Sequence, residues 1–168
     1  ILMTMNCIVP SFSVVVIGAG VAGSICARNL ALTGCAVHVV DKSRGVGGRL
    51  ATRRLQWLDT AGLPHTAHMD HGAPAFSVSD EAFAQFLVTT TPPGALARWN
   101  PTLALGSRAL EHTAPLWLPQ PDMPSLCRHW LRNIPVTLSF AVDRLVRHPA
   151  GWQLQAAGAT LPGHFDAV

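Results

Sequence analysis

A chain of 168 residues, 49% hydrophobic and only 12% charged, carries enough apolar content for one sizeable core, which excludes an intrinsically disordered protein. Twelve Lys plus Arg against nine Asp plus Glu leave a net charge of +3, too mild to argue for nucleic acid. No apolar run reaches the length of a membrane span, and residues 1–12 lack the basic start of a secretory signal, so a cytoplasmic protein with neither membrane nor nucleic acid as partner is expected.

Residues 13–17 form a short β-branched run bounded by glycine, the pattern of a parallel strand buried on both faces. A helix is predicted over residues 21–33. Val21, Ile25 and Leu32 lie near one face, Ala22, Ala27 and Ala31 allow close packing, and Gly34 suits the position just past the helix end. Residues 36–40 read as a second strand with Asp41 at its carboxyl end, and the strand, helix, strand order predicts a right-handed parallel crossover. Glycines forbid regular structure over 43–48, and loose alternation after Ala51 runs to a loop at Gly62 and Pro64. Ser79, Asp80 and Glu81 open a helix that continues over 82–89 and is stopped by Pro92, Pro93 and Gly94. Residues 96–119, rich in proline and tryptophan, read as short strands. A second capped helix is predicted over 122–133, with Leu126, Trp130 and Leu131 on its apolar side. Strands at 136–140, 144–148 and 152–156 then suggest a meander, the last two joined by a turn at Pro149, Ala150 and Gly151.

The chemistry begins at Gly18-Ala19-Gly20-Val21-Ala22-Gly23, a G-x-G-x-x-G between the first strand and the first helix. The first glycine permits a tight turn, the second lets a pyrophosphate approach the backbone, and the third lets helix and strand pack closely. Unpaired N–H groups and the helix dipole favour negative charge at that point. Asp41 lies 41 − 23 = 18 positions after the last glycine, near the roughly 20 expected of an acid that accepts hydrogen bonds from ribose hydroxyls. Both NAD and FAD are bound by such units. Five basic residues and no acid follow between 42 and 54, namely Lys42, Arg44, Arg49, Arg53 and Arg54. Within this stretch Gly47 and Gly48 offer a second close backbone approach, and the Arg49 guanidinium can form a charge-assisted bond to phosphate worth roughly 1.5 to 3 kcal/mol.

In these residues the chain resembles the FAD-dependent amine oxidase superfamily, most closely its renalase-like branch, in which K-S-R-G-V-G-G-R directly follows the acid as Lys42 to Arg49 do here. Asp70-His71-Gly72-Ala73 is similar to the family's D-x-G-A element, which approaches the flavin. The likeness extends to 121–126, opening a helix, and to 136–145, where Val142 would meet the adenine through its backbone. The resemblance implies FAD as cofactor, held by Gly18, Gly20, Ala22, Gly23, Asp41, Lys42, Arg44, Gly48, Arg49, Ala73 and Val142. It also implies a small-molecule substrate, an amine or a dihydronicotinamide, whose hydride passes to the flavin and whose electrons pass on to oxygen. The chain departs from the family at Pro74 and Ala75, where relatives carry a glutamine and an aromatic, and at Asp122, where they carry glycine.

The expected architecture is α/β. Residues 1–60 hold a Rossmann-like FAD-binding βαβ unit, 61–120 part of a mixed α+β substrate domain, and 121–168 a return to the FAD-binding domain through a helix and a β-meander. The chain reads as truncated, because Phe165 to Val168 look like the opening of another strand, left as an unpaired edge, and because Ile1, with Met3 and Met5 behind it, suggests a fragment edge or a misplaced start. Two alternatives stay open, a truncated non-catalytic flavoprotein and an NAD-dependent dehydrogenase. No side chain stands out as a general base. His65, His68 and His71 recur every third residue beside Asp70, yet Pro64 disfavours a helix and a strand would turn His68 away from the other two, so no metal is expected. The cysteines Cys7, Cys26, Cys35 and Cys127 form no C-x-x-C pair, and the five tryptophans, Trp57, Trp99, Trp117, Trp130 and Trp152, read as core or rim packing. Oligomeric state is left open.

Overall fold

The computed structural model describes residues 12–105, 108–111 and 116–168. Cys7 and the N-terminal stretch expected to carry no export signal lie outside the described residues. The elements begin with β1 (Ser13–Ile17), α1 (Val21–Leu32), β2 (Ala36–Val40), β3 (Thr52–Leu58), β4 (Pro64–Asp70) and β5 (Phe76–Ser77). Next come α2 (Glu81–Thr90), β6 (Leu96–Trp99), β7 (Thr102–Leu105), β8 (Arg108–Glu111), β9 (Leu116–Pro119) and α3 (Ser125–Trp130). The chain finishes with β10 (Val136–Thr137), β11 (Arg144–His148), β12 (Gly151–Ala156) and β13 (Ala159–Thr160). Two compact units result, one made of residues up to 45 together with 133–168, the other of residues 46–132. Among the described residues, no helix is long and apolar enough to cross a membrane.

In the first unit β1 and β2 pair in parallel from Ser13↔Ala36 to Ile17↔Val40. Their β-branched runs are what a sheet covered on both faces requires, and Val15, Val39 and Val40 are fully buried. The helix between them ends as predicted, with Gly34 at φ +90° and its N–H donating to the Ala31 carbonyl at 3.1 Å. Its packed face differs from the prediction. Ser24 and Ala27 are the buried positions while Leu32 is 70% exposed, because Leu32 sits about 140° round the helix from Ala27 at 100° per residue.

Two expectations for the C-terminal region are corrected. Residues 136–140 do not open the meander; only Val136–Thr137 is strand, and it lies parallel to β2 through Val136↔Val39 and Thr137↔Val40. Ser139 at φ +57° then bends the chain away. The meander is β11, β12 and β13, antiparallel throughout, with Gly151 as the first residue of β12. Nor is the segment at Phe165 to Val168 an unpaired edge. Trp152 and Phe165 exchange backbone hydrogen bonds of 2.6 and 2.9 Å, and the Val15 N–H donates to the Ala167 carbonyl at 3.0 Å, which places Ala167 alongside β1. Val15 and Val40 from the parallel sheet, Leu154 from β12, and Leu161 and Phe165 beyond it form one buried cluster, with Phe140 and Val142 packed against it.

In the second unit β3 and β4 make an antiparallel hairpin from Thr52↔Asp70 to Leu58↔Pro64, so Pro64 opens a strand instead of sitting in the predicted loop. A further sheet runs β5, β9, β6, and β7 pairs with β8. The α2 start is as predicted, the Asp80 carboxylate accepting from the Phe83 N–H at 2.6 Å. The α3 helix is shorter than predicted, because the Asp122 carboxylate caps a turn ending at the Ser125 N–H, 3.0 Å away, and Pro124 takes the N-cap position. Leu126, Trp130 and Leu131 are buried, and the Trp130 indole N–H donates to the Thr90 hydroxyl at 3.1 Å, joining α3 to α2. The tryptophans divide. Trp117 and Trp130 are core, whereas Trp57 and Trp99 are 49% and 44% exposed.

Candidate functional site

The glycine loop of the first unit is built by sterics that only missing side chains satisfy. Gly18 has φ +108°, a left-handed conformation, and its N–H donates to the Val40 carbonyl at 2.7 Å, which closes the loop onto the end of β2. A Cβ at Gly23 would lie 1.8 Å from the Gly18 carbonyl oxygen. That contact is the close helix approach that the third glycine of the motif permits. Gly20 is the N-cap of α1, contributes no side-chain cap, and no acid occupies the first helical turn. A twelve-residue helix therefore starts with backbone N–H groups that its own residues leave without a side-chain acceptor, a start suited to an anion.

Asp41 is tied into this loop more firmly than its spacing alone reveals. It is buried, with 9% exposure, and its two carboxylate oxygens accept from different backbone amides, Oδ2 from Ala19 and Oδ1 from Ser43, each at 2.7 Å. Burial pushes its carboxyl up, but the Ser43 and Ala19 amides, the Ser43 hydroxyl and the neighbouring Lys42 charge outweigh that and hold it below the usual aspartate range. Each carboxylate oxygen has a second lone pair, so capacity for a ribose hydroxyl remains. The backbone beyond β10 runs beside the same strand end. Asp41 N–H donates to the Thr137 carbonyl, Phe140 N–H to the Asp41 carbonyl and Ser139 N–H to the Ser43 carbonyl, each at 2.9 Å. Three residues before Asp41, on β2, His38 Nε2 meets the Thr137 hydroxyl at 2.8 Å, and burial lowers the imidazole pKa.

Residues 16–89 match the family model of the NAD(P)-binding Rossmann-like domain. The fold is accordingly mixed α/β with a Rossmann-like nucleotide-binding unit. Over 92% of its length the chain is similar to the Diels-Alderase PyrE3 of the pyrroindomycin pathway, with 16% identity, a TM-score of 0.53 and 31% of that chain covered. It is also similar to the peptidyl tryptophan dihydroxylase QhpG, with 20% identity, a TM-score of 0.48, and 92% of this chain and 30% of that one covered. A third likeness is to the tetracycline destructase Tet(55), with 15% identity, a TM-score of 0.49, and 93% and 37% of the two chains covered. The chain thus spans about a third of the length of these structures.

The remaining residues singled out in the sequence fall in both units. Gly18, Gly20, Ala22, Gly23, Asp41, Lys42, Arg44 and Val142 belong to the first, and Gly48, Arg49 and Ala73 to the second. Lys42 and Arg44 are exposed just past Asp41, and the Val142 side chain packs on the core cluster. In the second unit Gly47 and Gly48 both have positive φ, +117° and +58°. Beyond them the structure brings Arg49 and the D-x-G-A turn together. A Cβ at Gly72 would lie 2.1 Å from the Arg49 carbonyl oxygen, and the His71 N–H donates to the Ala51 carbonyl at 3.0 Å. Asp70 itself is structural, accepting from the Thr52 hydroxyl and from the Met123 N–H. The histidine series does not converge. His65 pairs across to Trp57 and His68 to Arg54, which puts them on opposite faces of the hairpin, and His65 Nε2 sits 2.9 Å from the Asp59 carboxylate.

The amide partners of Asp41, Ala19 and Ser43, were missed by sequence reasoning. The only signal for them was the closeness of Ser43 to Asp41 along the chain.

Proposed function

We propose that this chain carries the ADP-binding part of an FAD-dependent oxidoreductase that accepts a hydride from a small amine or dihydronicotinamide and passes electrons to oxygen. The observation that carries the nucleotide half of this reading is the Gly18 to Gly23 loop, whose bare helix start is braced through Ala19 by a buried carboxylate. The flavin half rests on the resemblance of Asp41 to Arg49 and of Asp70 to Ala73 to the amine oxidase superfamily. In this reading the amides at the α1 start meet the pyrophosphate, Asp41 a ribose, and Lys42, Arg44, Gly48 and Arg49 phosphate oxygens. Ala73 approaches the flavin and Val142 the adenine. When bound, the flavin supplies the hydride and electron transfer, while the protein supplies position and electrostatics.

Gly20 gives the cleanest test, because its φ of −78° is open to any residue. Gly20→Val is expected to fold like the parent chain and to lose FAD binding, read as flavin absorbance retained after gel filtration and as the rise in unfolding temperature with FAD. Unchanged flavin retention in that variant would overturn the proposal. A second reading, an NAD-dependent dehydrogenase, is favoured by the description of the matched family. It requires NADH to raise the unfolding temperature where FAD does not.

A further inference from the structure

The second unit contains a cavity of about 390 Å³. It opens where three pieces of chain meet: the end of α2, the strand ends at Ala95 and Gln120, and α3. The Gln120 N–H donates to the Ala95 carbonyl at 2.9 Å, and the Trp130 to Thr90 hydrogen bond fixes α3 against α2. Pro92, Pro121 and Leu126 give the cavity apolar walls, and Gln120, His129, Arg128 and Arg132 give it donors. Among the described residues no carboxylate lines it.

Charge defines the class of ligand. Arg128 lies in α3 and Arg132 in the turn just past its end, and both line the cavity. The Asp122 carboxylate accepts from Arg128 Nη2 and offsets one of the two charges; among the described residues no such partner offsets Arg132. Thr89, Thr90 and Thr91 hydroxyls donate to the carbonyls of Gln85, Phe86 and Leu87 at 2.8, 2.7 and 2.6 Å. The site therefore presents one uncompensated guanidinium beside an apolar surface. A guanidinium fork matches a carboxylate in shape and charge, and the volume falls in the range of about 300 to 1,000 Å³ typical of small-ligand sites.

We propose that this cavity binds a small monocarboxylate with an apolar body, its carboxylate on Arg132 and Arg128 and its body against Pro92, Pro121 and Leu126. The site lies wholly within residues 46–132 and does not depend on the nucleotide reading. The test is titration of the full chain with benzoate, followed through the Trp130 indole N–H resonance, in parallel with uncharged benzamide and with inorganic phosphate. Benzoate is expected to saturate, with benzamide and phosphate each about tenfold weaker or worse. Arg132→Gln, an exposed position, is expected to weaken benzoate about tenfold without lowering the unfolding temperature, and Gln120→Glu to do the same by placing a carboxylate in the cavity. Absence of saturable benzoate binding, equal affinity in Arg132→Gln, or phosphate binding as tight as benzoate would each overturn the assignment.

Discussion

Asp41 carries two hydrogen bonds that no neutral isostere can duplicate. Asparagine has one acceptor oxygen, so Asp41→Asn leaves either the Ala19 or the Ser43 amide facing a donor. The expected loss at neutral pH is about 1 to 3 kcal/mol by urea unfolding. The pH dependence has a definite sign. The folded carboxyl titrates below the ordinary 3.8 that it regains on unfolding, so its contribution is complete above 3.8 and is lost as pH falls through the folded value. Asp41→Asn should flatten the acid limb of the stability curve in that window, and an unchanged limb would show that Asp41 is not the group responsible. Gly23 and Gly20 separate in the same loop. A Cβ at Gly23 would collide with the Gly18 backbone and break the fold, whereas the φ of −78° at Gly20 imposes no backbone strain on a side chain, which makes Gly20 the better position for reading ligand binding apart from folding.

At the scale of elements, α2 owes its defined start to one side chain. Asp80→Ala removes the acceptor for the Phe83 N–H and is expected to cost about 1 kcal/mol, visible as a lowered urea midpoint with an unchanged slope. The β3–β4 hairpin shows alternation doing different work. Its register puts Leu55, Trp57, Ala67 and Met69 on one face and Thr52, Arg54, Gln56, Thr66 and His68 on the other. Trp57 covers part of its own surface by stacking on His65, ring centroids 5.4 Å apart. Among strands, β10 is the instructive one. Two residues cannot display a periodicity, so nothing local distinguished a parallel partner of β2 from the first strand of a meander.

At the scale of the whole molecule, the nucleotide-binding unit is discontinuous. Its parallel strands come from the first 45 residues, while Leu154, Leu161 and Phe165 complete its core from the far end of the chain. Phe165→Ala should therefore destabilise that unit by about 3 kcal/mol even though the residue lies more than a hundred positions from the glycine loop. Thermal unfolding followed by the flavin-binding assay reads both effects. A Phe165→Ala protein as stable as the parent would mean that the C-terminal segment is not part of this core.

The βαβ unit was legible in the sequence because everything that specifies it is close in the chain. A β-branched run, three glycines at fixed offsets, a helix stop and an acid at the second strand end all act through neighbouring backbone, and each was found where expected. The N-cap at Asp80 and the buried face of α3 were legible for the same reason. Tertiary structure alone decided the rest: that Asp41 braces Ala19 and Ser43, that Ala167 runs beside β1, that Gly72 packs on Arg49, and that Arg128 and Arg132 share a cavity. The distant ones, Asp41 with Ala19, Ala167 with β1 and Gly72 with Arg49, are pairings between groups whose residue types are ordinary and whose separation in sequence carries no period. Hydrogen-bond partners and strand neighbours of that kind are selected only when burial brings them together.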